Sequence, residues 1–168
     1  MRTIAGLLLI LTAAAAQPVP VRMDEYIDAW KAAKAYTIAV AEAMPAESYT
    51  FKPTPDEFTF AAQMIHLSHA NYYWFTAVLG EKRTIPDPKA EDKASVLAYV
   101  RDTFDYCIGA LDRVTPAQLS QTAPGVGGRK SGSGRDALLN MYMHVAHHRG
   151  QAIVYLRLKG VKPPEYLY

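Results

Sequence analysis

Proline and glycine cut this chain into four long helix-forming stretches, and that punctuation leaves little room for anything but a helical bundle. In residues 24–43 helix formers dominate, and Tyr26, Ile27, Trp30, Ala33 and Ala41 recur at helical spacing before Pro45 ends the run. The linker 47–55 carries Pro53 and Pro55; a second helix is predicted over 56–79, stopping at Gly80. Pro86 and Pro88 mark the next loop, and a third helix is predicted over about 93–114. Its stripe is Val96, Leu97, Val100, Phe104, Cys107, Ile108 and Leu111, and Pro116 opens a short extra turn. A last helix starts near Ser133, where Asp136 three residues on gives a capping box, and runs to Lys159. Gly160 and Pro163-Pro164 prevent its continuation. No strand, hairpin or internal repeat is expected, so the fold class is all-α: an antiparallel four-helix bundle.

The first sixteen residues have a different character. A positive Arg2, an apolar run from Ile4 to Ala16, the small residues Ala14-Ala15-Ala16, and then Gln17 and two prolines are the layout of a secretory signal peptide. A retained membrane anchor is the competing reading, but the run is short for a bilayer span, and no Cys follows it to carry a lipid. The expected organisation is therefore a signal peptide at 1–16 and a single domain at 17–168, periplasmic or secreted, with no stable membrane insertion after cleavage. The length suits one domain with a sizeable core. A formal net charge of only +2, without a dense Lys/Arg cluster, points away from nucleic acid. Cys107 is the only cysteine, so no intrachain disulfide can form, and its apolar setting marks it as core.

The glycine-rich stretch 124–134 contains Lys130-Ser131, but Arg129 separates Gly128 from the lysine and no apolar strand precedes it. A phosphate-binding loop is thus excluded, and the stretch reads as a connector.

All five histidines fall in two windows: His66 and His69 in the second helix, and His144, His147 and His148 in the last. At about 100° per residue, His144 and His148 lie within about 40° of each other, one turn apart. Both imidazoles can then reach one ion from one wall, and a third histidine from a facing helix completes a tripod with a position left open. Helical geometry leaves that third ligand open between His66 and His69, and turns His69 somewhat more toward the core. Val145 stands where the zinc-protease motif places its general-base Glu, so the protease reading fails. The Glu-x-x-His pairs of two-metal carboxylate bundles are absent. Gly150, which costs roughly 1 kcal/mol in mid-helix relative to Ala, calls for the close approach of a neighbouring helix. Arg149 turns away from the histidine face, toward ion pairing or helix packing. Gln151 falls between His144 and His148 on the wheel, either as a partner of the ligands or as a polar core residue. Tyr72, Tyr73 and Trp74 are expected in core and pocket wall.

The run His144-Val-Ala-His-His148-Arg-Gly-Gln151, followed by Tyr155-Leu-Arg-Leu-Lys-Gly160 and Pro163-Pro164-Glu-Tyr166, closely resembles the C-terminal signature of the DinB-like (DinB/YfiT-like) metalloenzymes. Met64-Ile-His66-Leu-Ser-His-Ala-Asn-Tyr-Tyr73 is similar to that family's second-helix segment. The resemblance covers roughly 24–166 and implies His66, His144 and His148 as the three metal ligands, in a bundle that often forms homodimers. It also implies that position 69 is variable and position 147 often His. Some relatives are transferases or isomerases that use low-molecular-weight thiols such as bacillithiol, mycothiol or glutathione, the metal activating a thiolate or water by lowering its pKa. The expected export argues against that thiol chemistry, since such thiols are kept reduced in the cytoplasm. Two functions follow: a metal-dependent transferase or hydrolase acting on a small molecule, or a non-catalytic metal- or ligand-binding bundle. The expected cofactor is one divalent ion, zinc first, with nickel and iron also compatible with three imidazoles.

Overall fold

The computed structural model describes residues 22–82, 86, 88–123 and 132–166. The expected signal peptide and most of the glycine-rich connector lie outside these residues.

The first helix, α1 (Met23–Ala43), has Asp24 and Glu25 in its first turn, where carboxylates complement the positive end of the helix dipole, and it buries Trp30, Ala33, Thr37, Val40 and Ala41. A 3-10 turn at Ala46–Ser48 follows Pro45. The linker then folds onto the bundle: Tyr49 donates its hydroxyl to the Ala41 carbonyl at 2.8 Å, and its own carbonyl accepts from the Ala61 amide at 2.9 Å. Helix α2 (Phe60–Leu79) begins four residues later than the sequence suggests. Thr59 is its N-cap, accepting from the Ala62 amide, so 56–58 stay outside; Gly80 closes it at φ 70°. Helix α3 (Lys93–Leu111) is capped by Asp92 and ends three residues earlier than expected. The turn at Pro116 is a short helix, α4 (Pro116–Ser120), with a Thr115/Gln118 capping box. Helix α5 (Gly134–Leu158) starts from the Ser133/Asp136 capping box read from the sequence.

One expectation is corrected. Thr122–Ala123 (β1) and Gly132–Ser133 (β2) pair antiparallel, Thr122 opposite Ser133. Two residues per strand carry no alternating pattern, which is why the sequence did not betray them.

The bundle itself is all-α, as expected. In it α1 packs against α3 and α5, and α2 against the same two. Lys93 reaches the carbonyls of Glu42 and Met44 while Lys34 pairs with Asp105, so α1 and α3 are antiparallel. Gln63 lies beside His148 and His66 beside His144, so α2 and α5 are antiparallel too. Tyr26 meets Leu138 and Arg149 meets Ala33, which sets α1 and α5 parallel. Trp30 sits at the centre, its ring 5.5 Å from Phe75 and 5.6 Å from Phe104, joining three helices. None of the helices among the described residues is long and apolar enough to cross a membrane.

Candidate metal centre

The seam between α2 and α5 gathers three of the five histidines. His144 and His148, one turn apart on α5, have ring centroids 4.3 Å apart. Across the seam His66 lies 5.2 Å from His144 and 4.6 Å from His148. One potential ligand nitrogen from each ring falls within 4.8 Å of the others, close enough for small side-chain movements to bring all three onto a single ion. His66 is exposed and the two α5 rings are half-buried, so the cluster opens to solvent on the His66 side.

Electrostatics agree with the geometry. Burial first, and then the neighbouring imidazoles, push His144 and His148 down from 6.5 to about 4. Burial, with His69 second, also lowers His66. At neutral pH all three rings are therefore neutral and hold free lone pairs, the state a metal requires. Among the described residues, the Nδ1 of His144 is buried without a hydrogen-bond partner. Such an orphan is uncommon in a folded protein, and coordination there or an ordered water would satisfy it. The residues present fit a divalent cation.

His69 and His147 do not belong to this group. His69, one turn along α2, is exposed like His66, so burial does not separate the two; among the described residues His66 is the one that joins the α5 rings. His147 is exposed as well, its ring 4.8 Å from His148 on the outer side of α5. Arg149 faces α1, as expected of a packing residue. It is 7% exposed, donates to the Ala33 carbonyl and the Thr37 hydroxyl at 3.4 Å, and lies 4.7 Å over the Tyr36 ring. No ion pair holds it among the described residues, so the ion-pairing alternative falls away. Tyr72 and Trp74 are buried, Tyr72 stacking on Tyr106 at 4.4 Å, while Tyr73 is exposed rather than a wall. Tyr72, Tyr99 and Tyr106 line a cavity of about 640 Å³ whose other walls are α3 and the segment of Pro86, Pro88 and Lys89, and no histidine lines it. Gly150 is exposed and an added Cβ there would meet no atom within 4 Å among the described residues, so none of the described helices makes the close approach that the sequence calls for.

Two residues at the centre escaped the sequence reading. Gln63, 2% exposed, places its amide 2.9 Å from His148 Nδ1 and in contact with Gln151 Oε1. Its signal was a polar amide on the core stripe of Phe60, Met64 and Leu67, which needs a buried partner. Phe58, 47% exposed, has its ring 5.5 Å from that of His66, its carbonyl held by the Tyr155 hydroxyl at 2.9 Å. It was hidden because 56–59 read as the first turn of α2.

The family model for the DinB superfamily matches residues 29–152. A crystal structure of a DinB-like protein from Bacillus cereus superposes with a TM-score of 0.70 at 20% identity, covering 86% of this chain and 97% of that one. A DinB-like protein from Bacillus subtilis gives a TM-score of 0.68 at 18% identity, covering 85% of this chain and 97% of its own. At that identity the two establish a common fold. No curated protein compared with the chain matches it.

Proposed function

The chain belongs to the DinB superfamily, and from that premise we propose that it binds one divalent metal ion through His66, His144 and His148 and acts as a metal-dependent transferase or hydrolase on a small molecule. The observation that carries this reading is the convergence of three neutral imidazoles from two helices within 4.8 Å, with one side open to solvent. A closed cluster would suit a storage or structural site; the exposed position of His66 leaves room for a substrate atom and so favours chemistry over simple binding.

The chain's own residues set up that chemistry. His144 and His148 form a fixed wall on α5, held neutral by burial. His66 closes the tripod from α2 and stands at the mouth. Phe58 supplies an apolar surface beside it, able to position a substrate's hydrocarbon part. A divalent ion bound there supplies Lewis acidity; zinc is the first choice for three imidazoles, with nickel or iron as alternatives.

Export through a signal peptide at 1–16, to the periplasm or outside the cell, belongs to the same proposal and rests on the sequence. So does homodimer formation, for which sedimentation of the purified protein is the check.

Metal analysis tests the site. The full chain, stripped with chelator and reloaded with zinc, is expected to hold one equivalent. His66→Ala, His144→Ala and His148→Ala are each expected to lose it, while His69→Ala and His147→Ala keep it. Full stoichiometry at wild-type affinity in both His66→Ala and His144→Ala would overturn the tripod.

A further inference from the structure

The Gln63 amide, 2% exposed, touches the histidine cluster, and its position imposes a requirement on metal binding. Its terminal group lies 2.9 Å from His148 Nδ1, contacts Gln151 Oε1, and comes within 3.5 Å of the His148 carbonyl. Among these described contacts, the amide meets α5 alone, and at 2% exposure water has little access to it. With Nδ1 engaged by Gln63, the nitrogen that His148 has left for the cluster is Nε2.

A neutral imidazole carries one proton. If a metal takes the lone pair of Nε2, that proton must sit on Nδ1, and Nδ1–H then needs an acceptor. The amide as it stands offers Nδ1 an N–H, which suits the opposite tautomer, with the proton on Nε2. A half-turn of the amide about its last bond exchanges the two arrangements, provided that the Gln151 amide turns with it. Gln151 must follow. While Gln63 presents its nitrogen, Gln151 accepts with Oε1; when Gln63 presents its oxygen, Gln151 must donate from Nε2. The two amides therefore have two paired settings, and the metal-bound one gives up only the long 3.5 Å contact of the Gln63 amide nitrogen to the His148 carbonyl.

We propose that Gln63 is a positioning residue for metal binding: its Oε1 accepts the Nδ1–H of His148 in the metal-bound state, fixing the ring with Nε2 toward the ion, and Gln151 orients Gln63 from behind. This rests on the three-histidine metal site proposed above, and goes beyond it by assigning the group that selects the ligand's tautomer. Partners of this kind, hydrogen-bonded to a ligand histidine, typically change metal affinity by about 10–100-fold when removed.

The test uses the full chain with zinc and two readouts: zinc affinity by competition with a chromophoric chelator, and the exchange of imidazole N–H protons by NMR. Gln63→Leu, close in volume, is expected to weaken zinc by roughly 10–100-fold. Gln63→Glu, which can only accept when ionised, is expected to restore binding to within a few-fold of wild type. Gln151→Leu is expected to fall between wild type and Gln63→Leu. In the zinc-loaded wild type and in Gln63→Glu, His148 Nδ1–H should give a downfield resonance that exchanges slowly; in Gln63→Leu it should broaden or vanish. A merely structural role for Gln63 would change thermal stability and leave that resonance alone. Wild-type zinc affinity in Gln63→Leu, or failure of Gln63→Glu to rescue it, would overturn the assignment. Should the wild type itself bind no zinc, the metal site has failed, and this assignment with it.

Discussion

Acidifying the metal-free protein is predicted to weaken its fold between about pH 6.5 and 4, through two named side chains. His144 and His148 fall from 6.5 to about 4 on folding, chiefly through burial and secondarily through neighbouring imidazoles. Within that window the unfolded chain binds more protons than the folded one, so stability rises with pH, and is lost as pH falls from 6.5 toward 4. Above 6.5 both states carry neutral rings and the effect is flat. Each ring would contribute about 3 kcal/mol if fully shielded; the open mouth and half-burial admit water, which reduces this to roughly 1–2 kcal/mol apiece. Together they make about 2–4 kcal/mol, a large part of the stability of an ordinary domain. The rings share one pocket, so their protons enter in coupled steps. Asp24, Asp92 and Asp136 are held below 3.8 by hydrogen bonds to nearby side chains and backbone amides, so their losses are centred below the window, touch only its acid end, and are shared by wild type and variant. The assay is urea unfolding at pH 7, 6, 5 and 4 in chelator, for wild type and a His144→Gln/His148→Gln variant. The wild-type midpoint should fall and the variant's should fall distinctly less, the remainder coming from His66, which burial also lowers. A wild-type midpoint that is flat to pH 4.5, or a variant that falls as steeply, would refute the reasoning.

Two glycines in α5 should respond in opposite directions to alanine. At Gly134 a Cβ would lie 2.1 Å from the Gln118 carbonyl oxygen, so Gly134→Ala is expected to cost about 1–3 kcal/mol or more in urea titration. At Gly150 no atom of the described residues lies within 4 Å, so Gly150→Ala is expected to gain up to about 1 kcal/mol; a loss there would show that a partner, or a part of the chain outside the described residues, packs on it. Cys107 is fully buried and its thiol is pushed well up by burial, so a thiol-specific chromogenic reagent should label it only as fast as the protein unfolds. Rapid labelling under native conditions would contradict that placement.

The four bundle helices were legible because proline and glycine mark their ends, and their apolar stripes are long enough for a period of 3.6 to show. Boundaries were less so. The start of α2 was placed at Asp56 because 56–59 lack an obvious breaker, whereas the Thr59 hydroxyl on the Ala62 amide sets it at Phe60. That error also concealed Phe58. The pairing of His144 with His148 follows from their spacing alone. The placing of His66 rather than His69 beside them does not: on an isolated wheel the facing position depends on where the neighbouring helix lies, which the α2–α5 packing supplies. Gln151 was visible as a candidate beside the ligands, yet its reach to His148 runs through Gln63, a relation between helices that no single-helix pattern contains.

The donors come from α2 and α5, which the chain separates by all of α3 and α4. An ion held between them would close a long loop in the unfolded chain, restricting it much as a disulfide does. With a single cysteine the sequence has no covalent means to the same end. Coordination would thus act as a removable cross-link at one seam: chelation should loosen α2 against α5 while leaving the Trp30 contacts of α1 with α2 and α3 intact, a difference that hydrogen exchange would resolve helix by helix.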